Sequence, residues 1–130
     1  LGPTKCYIYV DGEDKTRDAI VNKNVTIKEG SLVVSGAVVN TNSKIGSHCV
    51  INTLSSLDHD VKLGDYSDIA PGVNIAGNVT IGNNVFIGIG SSLIENIKIE
   101  NNVTIGGQSL VNKNCSSNQK YIGVPAKKID

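Results

Sequence analysis

The chain has 130 residues and a formal net charge of zero, with 12 Lys and Arg residues against 12 Asp and Glu residues. Because the basic residues are scattered, the sequence lacks the cationic surface that attracts nucleic acids and anionic membranes, and we exclude both as partners. No apolar run approaches the ~18 residues of a membrane-spanning helix. The three cysteines are an odd number, so we expect reduced thiols and a cytoplasmic protein.

Residues 1–20 do not repeat, and we interpret them as a segment upstream of the main domain, which covers residues 21–130. The run Cys6-Tyr7-Ile8-Tyr9-Val10 predicts one strand. The polar, charged stretch that follows, residues 11–18, predicts a linker or a loop. We expect this segment to be the remnant of a larger upstream domain.

From Val21 to Val111, every sixth residue is Ile, Leu or Val, which makes sixteen consecutive matches. A period of six fits neither the 3.6-residue period of a helix nor the simple alternation of a strand. The position four residues after each of these, from Val25 to Cys115, is small or aliphatic. It lies two residues before the next match, so both side chains point inward from one short strand. The pattern predicts hexads that each contain a strand and a corner.

The corners are predicted at the three remaining positions of each hexad, where every glycine between Val21 and Ser116 falls. Glycine and asparagine tolerate the positive φ that corners require. Three strands and three corners per coil predict an all-β triangular prism of about five turns, with coils ~4.8 Å apart. Several outward positions are apolar, so we expect this wall to be buried between the subunits of a homotrimer; they are Leu32, Val38, Val50, Phe86 and Leu110.

His59 is the strongest candidate for a catalytic residue. It lies at a predicted corner between Asp58 and Asp60, and a neighbouring carboxylate can accept the Nδ1 proton and raise the basicity of Nε2. The residue stacked one coil further along is Gly77, which we expect to leave room beside the imidazole for a substrate. The second histidine, His48, lies at another corner, and we interpret it as a surface residue.

The cysteines are poor candidates for a nucleophile. Cys49 and Cys115 occupy inward positions of the repeat, and Cys6 lies outside it.

Three segments together resemble the family of sialic acid O-acetyltransferases and nucleotide-4-amino-sugar N-acetyltransferases. They read INTLSSLDHDVKLGDYSDIAPGVNIAG from residue 51, VTIGNNVFIGIGSSLIENIKIENNVTIGGQSLV from residue 79, and YIGVPAKKI from residue 121. The likeness extends over residues 45–129 and implies a left-handed parallel β-helix. The hand comes from the resemblance alone, because parallel crossovers are usually right-handed.

The resemblance implies roles for five residues. His59 matches the general base of the family, and Asp60 matches the acidic residue that tunes the base. Acetyl-CoA is expected in the groove between adjacent subunits, in contact with Asp68, Ile89 and Gly107, and no metal is implied. Relatives commonly carry histidine where this chain has Asp68.

The resemblance also implies an activity, the transfer of an acetyl group from acetyl-CoA to the amine of a nucleotide-linked amino sugar. His59 would take a proton from the acceptor, and the backbone N–H of Gly77 or Gly107 is a candidate to stabilise the oxyanion. Lys127 and Lys128 lie where the family's tail closes over the coenzyme, so they either meet its phosphates or form a solvated tail.

Several alternatives stay open or are excluded by the sequence. O-acetylation of a sialic-acid-like sugar is the closest, because the chain does not separate amine from hydroxyl acceptors. Relatives bind the nucleotide sugar with a Rossmann-like N-terminal domain, so such a domain upstream would favour the amine. A non-catalytic structural β-helix is also open. A γ-class carbonic anhydrase needs three zinc-binding histidines and this chain has 2, and the outward positions show no threonine ladder for ice binding.

Overall fold

The structure is a computed structural model that describes residues 9–10, 13–14 and 19–130, and the described residues form strands and turns without a helix. The strands, β1 to β20 in chain order, are Tyr9–Val10, Glu13–Asp14, Ile20–Val21, Thr26–Ile27, Leu32–Val33, Val38–Val39, Lys44–Ile45, Val50–Ile51, Ser56–Leu57, Lys62–Leu63, Asp68–Ile69, Asn74–Ile75, Thr80–Ile81, Phe86–Ile87, Ser92–Leu93, Lys98–Ile99, Thr104–Ile105, Leu110–Val111, Lys120–Gly123 and Ala126–Ile129.

The N-terminal segment differs in part from the expected strand and loop. β1 pairs with β2 in an antiparallel hairpin, with Val10 opposite Glu13. The predicted strand is thus confirmed at Tyr9–Val10, whereas residues 6–8 lie outside the described residues. The prediction of a loop over residues 11–18 was wrong at Glu13–Asp14. The sequence between the two strands is Asp11-Gly12, a dipeptide strongly preferred between hairpin strands.

Three parallel sheets form the faces of the predicted prism. Face 1 contains β3, β6, β9, β12, β15 and β18; face 2 contains β4, β7, β10, β13 and β16; face 3 contains β5, β8, β11, β14, β17 and β19, with β20 at its edge. The strands from β3 to β18 pair at a separation of 18 residues, as Leu57 does with Ile75. Face 1 has six stacked strands, so the solenoid has about six turns and not the five that were predicted, because partial coils extend both ends.

Both inward positions of the hexad form the core, as predicted. The Ile, Leu and Val column is buried from Ile27 to Val111, and the small column is buried from Ser31 to Cys115. Buried serines connect successive coils: the Oγ of Ser67 donates to the Gly82 carbonyl at 2.8 Å and accepts from the Val85 N–H at 3.0 Å. Every serine hydroxyl in this column has a hydrogen-bond partner, so none has the destabilising effect of an unpaired buried polar group.

The corners reveal which residue of each hexad takes the left-handed backbone. It is always the third corner residue, from Asn24 with φ 61° to Gln108 with φ 57°. Glycines at the first or second corner position therefore serve close packing and not positive φ. Gly107 is one of these, and the expectation that its corner position needs positive φ was wrong, because Gln108 supplies that conformation.

We name the three corners by the faces that they join. Corner A joins faces 1 and 2 and contains His59; corner B joins faces 2 and 3 and contains Tyr66; corner C joins faces 3 and 1 and contains Gly107. In a triangular prism each corner is opposite one face. Corner A is opposite face 3.

The last coil is two residues shorter than the others. Ile99 bridges to Cys115, whereas an 18-residue coil places Cys115 above Ile97. Cys115 is buried as predicted, but it stacks on the large aliphatic column and not on the small one. Burial raises the pKa of the Cys115 thiol to about 11 and also raises the pKa of Cys49, which disfavours both as nucleophiles.

A hairpin of β19 and β20 closes the solenoid. β19 continues face 3 in parallel with β17, and β20 returns antiparallel, with Tyr121 opposite Lys128. Ile122 lies over Gly106, and the Gly123 N–H donates to the Ser109 Oγ at 3.1 Å. The tail therefore packs against the upper end of corner C. No helix long and apolar enough to cross a membrane occurs among the described residues.

Candidate active site

His59 and Asp60 form a hydrogen-bonded pair at corner A. The Nδ1 of His59 lies 2.9 Å from the Oδ2 of Asp60, and their side chains are 57% and 50% exposed. The His59 backbone N–H donates to the Oδ1 of Asp58 at 2.9 Å. Asp58 thus fixes the corner, and Asp60 orients the ring with Nε2 as the atom left for chemistry.

Asp60 departs from a column of asparagines. The same left-handed position is occupied by asparagine in the coils below and above, at Asn24, Asn42, Asn78 and Asn96. The Asn78 side chain donates to Asn96 at 2.8 Å in this column. Because asparagine is sufficient for the left-handed backbone at this position, we attribute the carboxylate of Asp60 to its hydrogen bond with His59. This exception within a repeat was visible in the sequence.

Gly77 lies directly against the imidazole of His59. A Cβ atom on Gly77 would overlap the ring at Nε2 and Cε1. The expected space for a substrate between the ring and Gly77 is therefore occupied by the ring itself. The glycine is required so that the imidazole can lie along the corner, and a substrate must approach from the exposed side.

The surroundings of His59 favour its protonated form. The hydrogen bond to Asp60 raises the pKa of His59 above its usual value, and the charges of Asp58 and Asp60 act in the same direction, against a smaller desolvation effect. A higher pKa makes the neutral imidazole a stronger base. The pair therefore has the chemistry of a general base.

Corner C carries outward backbone N–H groups without an acceptor. At several corners a side chain caps the N–H of the second residue, as Asp58 Oδ1 caps His59 at corner A at 2.9 Å and Asn52 Oδ1 caps Thr53, lower on corner C, at 2.8 Å. The residues before Ile89 and Gly107 are glycines, which have no side chain to cap with, and within residues 19–130 neither N–H has a hydrogen-bond acceptor. Both residues are exposed. The GIG and IGG motifs thus leave two donors one coil apart.

Asp68 lies on face 3, next to corner C and away from corner A. Its strand pairs with β8 and β14, which places it between Val50 and Phe86. Partial burial beside these apolar neighbours raises the pKa of Asp68. Because face 3 is opposite corner A, a single chain does not bring His59 and Asp68 together.

The remaining candidates lie elsewhere. His48 is exposed at corner B, as interpreted from the sequence, and its ring stacks on Tyr66 with centroids 5.2 Å apart. Lys127 and Lys128 are exposed on β20. In the part of the chain that the structure describes, no group of three or more His, Cys, Asp or Glu side chains is arranged to hold a metal ion.

The bacterial transferase hexapeptide family (six repeats) matches residues 42–77 and 78–113, which together exceed half of the chain. The chain belongs to this family. Its solenoid is therefore the left-handed parallel β-helix that the resemblance implied. No curated protein sequence matches the chain.

Two solved structures are similar to this hexapeptide-family chain. PerB from Caulobacter crescentus, in complex with CoA and GDP-perosamine, is 31% identical with a TM-score of 0.84, over 87% of this chain and 55% of PerB. The acetyltransferase domain of PglB from Neisseria gonorrhoeae, in complex with acetyl coenzyme A, is 30% identical with a TM-score of 0.85, over 86% of this chain and 55% of that chain. The present chain thus spans about half the length of each of these two chains.

A third structure shares the fold. AntD, an N-acyltransferase from Bacillus cereus in complex with dTDP and coenzyme A, is 19% identical with a TM-score of 0.79, over 89% of this chain and 78% of that chain.

Proposed function

We propose that the chain is an acetyl-CoA-dependent N-acetyltransferase whose acceptor is the amine of a nucleotide-linked amino sugar. The observation that carries this proposal is the His59–Asp60 pair, held over Gly77 at an exposed corner. The likeness to PerB, which is solved with CoA and GDP-perosamine, supports the substrate class. Two further structures of the Caulobacter enzyme carry a histidine replaced by alanine or by asparagine. Residues 21–130 form the acetyltransferase domain in this proposal.

His59 acts as the general base. Its neutral Nε2 takes a proton from the acceptor amine as the nitrogen attacks the thioester carbonyl, and Asp60 stabilises the imidazolium that forms. When the tetrahedral intermediate collapses, the C–S bond breaks and the CoA thiolate takes the proton from His59. No covalent enzyme intermediate is needed.

Acetyl-CoA lies along corner C in this proposal. The free N–H groups of Ile89 and Gly107 are donors for amide or thioester oxygens of the coenzyme, and their spacing of one coil suits an extended ligand. Of the two candidates for the oxyanion, we favour Gly107, because Gly77 is buried beneath the imidazole. Lys127 and Lys128 on the hairpin beyond corner C are placed to meet phosphates.

The site is completed between subunits of a homotrimer. Corner A supplies the base, and corner C with Asp68 on face 3 supplies the coenzyme groove. Because corner A is opposite face 3 in one chain, the groove must come from a neighbouring copy. We place the reaction in the cytoplasm, in keeping with the buried free thiols of Cys49 and Cys115.

The test is acetyl transfer to GDP-perosamine, with product detected by mass spectrometry. His59→Ala should lower kcat/KM by roughly 10²- to 10⁴-fold, the usual contribution of a general base. Lys23→Ala, at the same corner position two coils earlier, should retain activity. Activity of His59→Ala within a few-fold of the unmodified chain would sink the assignment, and acetylation of sialic acid in place of the amine would support the O-acetyltransferase alternative.

A further inference from the structure

The outward column of face 3 is apolar on both sides of Asp68, and Lys120 stands at its upper end. The outward residues Leu32, Val50 and Phe86 stand in register with Asp68, and Leu32 and Phe86 are 39% and 46% exposed. A contiguous apolar strip on a sheet is typical of an interface. Burying Asp68 in an interface is unfavourable unless a cation meets it, so the covering surface must be able to supply one.

Face 2 supplies cations from its outward column. Its outward column contains Lys44, Lys62 and Lys98, all exposed, with Lys44 directly below Lys62. Within the described residues these lysines and Asp68 take part in no ion pair. The aliphatic stems of lysine can cover apolar surface while the ammonium groups reach a carboxylate. Face 1 has no charged side chain in its outward column, which is Ile20, Val38, Ser56, Asn74, Ser92 and Leu110.

The height along the prism axis selects one lysine. In a cyclic assembly with parallel axes, equal residue numbers lie at equal heights, and six residues correspond to a rise of ~1.6 Å, one third of a coil. Lys62 is six residues before Asp68, whereas Lys44 and Lys98 lie more than one coil away from it. The neighbour's Lys62 is therefore the lysine level with Asp68.

The position of the coenzyme along corner C determines which corner lies on the symmetry axis. In a trimer of prisms, the corner shared by the two contacting faces points at the axis. If faces 3 and 1 were in contact, corner C would lie on the axis, without room for three coenzyme molecules. Contact between faces 3 and 2 leaves corner C outside and places corner B on the axis.

Corner B has the features of an axis contact. His48 and Tyr66 hold left-handed backbone there with φ 56° and 59°, where asparagine occupies later coils. Their stacked rings are exposed, Tyr66 by 63%. Leu54 at corner C also has a left-handed backbone, with φ 57°, so the stacked pair of exposed rings, and not the conformation alone, distinguishes corner B.

We propose that face 3 of one copy of this chain docks on face 2 of the next, with Asp68 paired to the next copy's Lys62 and corner B on the three-fold axis. The proposal rests on the proposed function, because it assumes that the coenzyme lies along corner C. In this arrangement Asp68 aligns one copy's groove with the next copy's His59. The heights of Asp68 and of that His59 along the prism axis differ by ~2.4 Å, the rise of half a coil.

The test is reciprocal charge reversal, read as molecular mass by light scattering on the full chain. The unmodified protein should have three times the 13.7 kDa chain mass. Asp68→Lys and Lys62→Glu should each reduce it to the monomer mass, and the double variant should restore the trimer. Asn74→Glu is the matched control, because it places the same negative charge as Lys62→Glu on face 1, where Asn74 is exposed six residues after Asp68; it should stay trimeric. Circular dichroism checks that each variant is folded.

Each other outcome overturns the docking. A trimer that survives both single reversals, or a double variant that remains monomeric, contradicts the Asp68–Lys62 pair. Dissociation by Asn74→Glu with an intact Lys62→Glu trimer would show that face 1 is the partner, because a carboxylate level with Asp68 repels it. These failures differ from failure of the proposed function, which is decided separately by loss or retention of acetyl transfer in His59→Ala.

Discussion

Replacing Gly77 with alanine tests the site without changing a catalytic group. A Cβ atom at Gly77 would overlap the His59 imidazole at Nε2 and come within 2.5 Å of Cε1. Ordinary van der Waals contact needs ~3.5–4 Å between carbon atoms, so the ring must move by about 1 Å. A displacement of that size can cost ~10²-fold in rate. Gly77 does not have positive φ, so the backbone accepts alanine.

We therefore expect Gly77→Ala to lower kcat/KM for acetyl transfer to GDP-perosamine by roughly 10²-fold. The KM for acetyl-CoA should change little, because corner C is untouched. The rate is followed as release of the CoA thiol, and the folded state by thermal melting.

The decisive comparison is a double-mutant cycle with His59→Ala. If Gly77→Ala acts by moving the imidazole, it should add no further loss once the imidazole is absent. An additional loss in the double variant would mean that Gly77 acts through the backbone or the oxyanion. An unchanged rate for Gly77→Ala alone would refute the position assigned to His59.

Three further predictions follow from the described contacts. Asp60→Asn removes the main cause of the raised His59 pKa, so the acid limb of log kcat/KM should move to lower pH; a limb that stays in place contradicts the pairing. Gly107→Val puts a side chain 3.1 Å from the Ile89 Cγ2 and over two free N–H groups, so the KM for acetyl-CoA should rise strongly while Glu29→Val at corner B leaves it unchanged; equal effects would place the groove elsewhere. Ser67→Ala leaves the Val85 N–H and the Gly82 carbonyl without their partner and should lower the free energy of unfolding by about 1–3 kcal/mol, as measured by urea denaturation, whereas Ser92→Ala, at a half-buried outward position, should not.

The fold could be predicted from the sequence because every hexad meets the same environment. Ile69 and Val73 repeat the burial of residues 18 before and after them, so errors at single positions do not accumulate. The failures occur where the repetition ends. Cys115 stacks on Ile99 because the last coil is short, and β2 lies outside the repeat.

The site was predictable only where it depends on neighbours in sequence. Asp60 follows His59, so their hydrogen bond was expected and is present at 2.9 Å. The space beside Gly77 was not predictable, because it depends on the rotamer of His59. The Gly107 N–H was proposed from the sequence as a donor, whereas the Ile89 N–H was not, because it is left free by the absence of a capping side chain on the glycine before it.

The eighteen-residue coil also constrains how the gene of such a protein can change in length. Six residues inserted between Asp60 and Ile89 would keep every aliphatic side chain in the core, yet move Ile89 and Gly107 from corner C to corner A. Eighteen residues would restore the corner but shift the groove by ~4.8 Å along the axis. An insertion in that interval is therefore compatible with catalysis only if it protrudes from a corner as a loop. Such a loop leaves the 18-residue repeat of the coil unchanged.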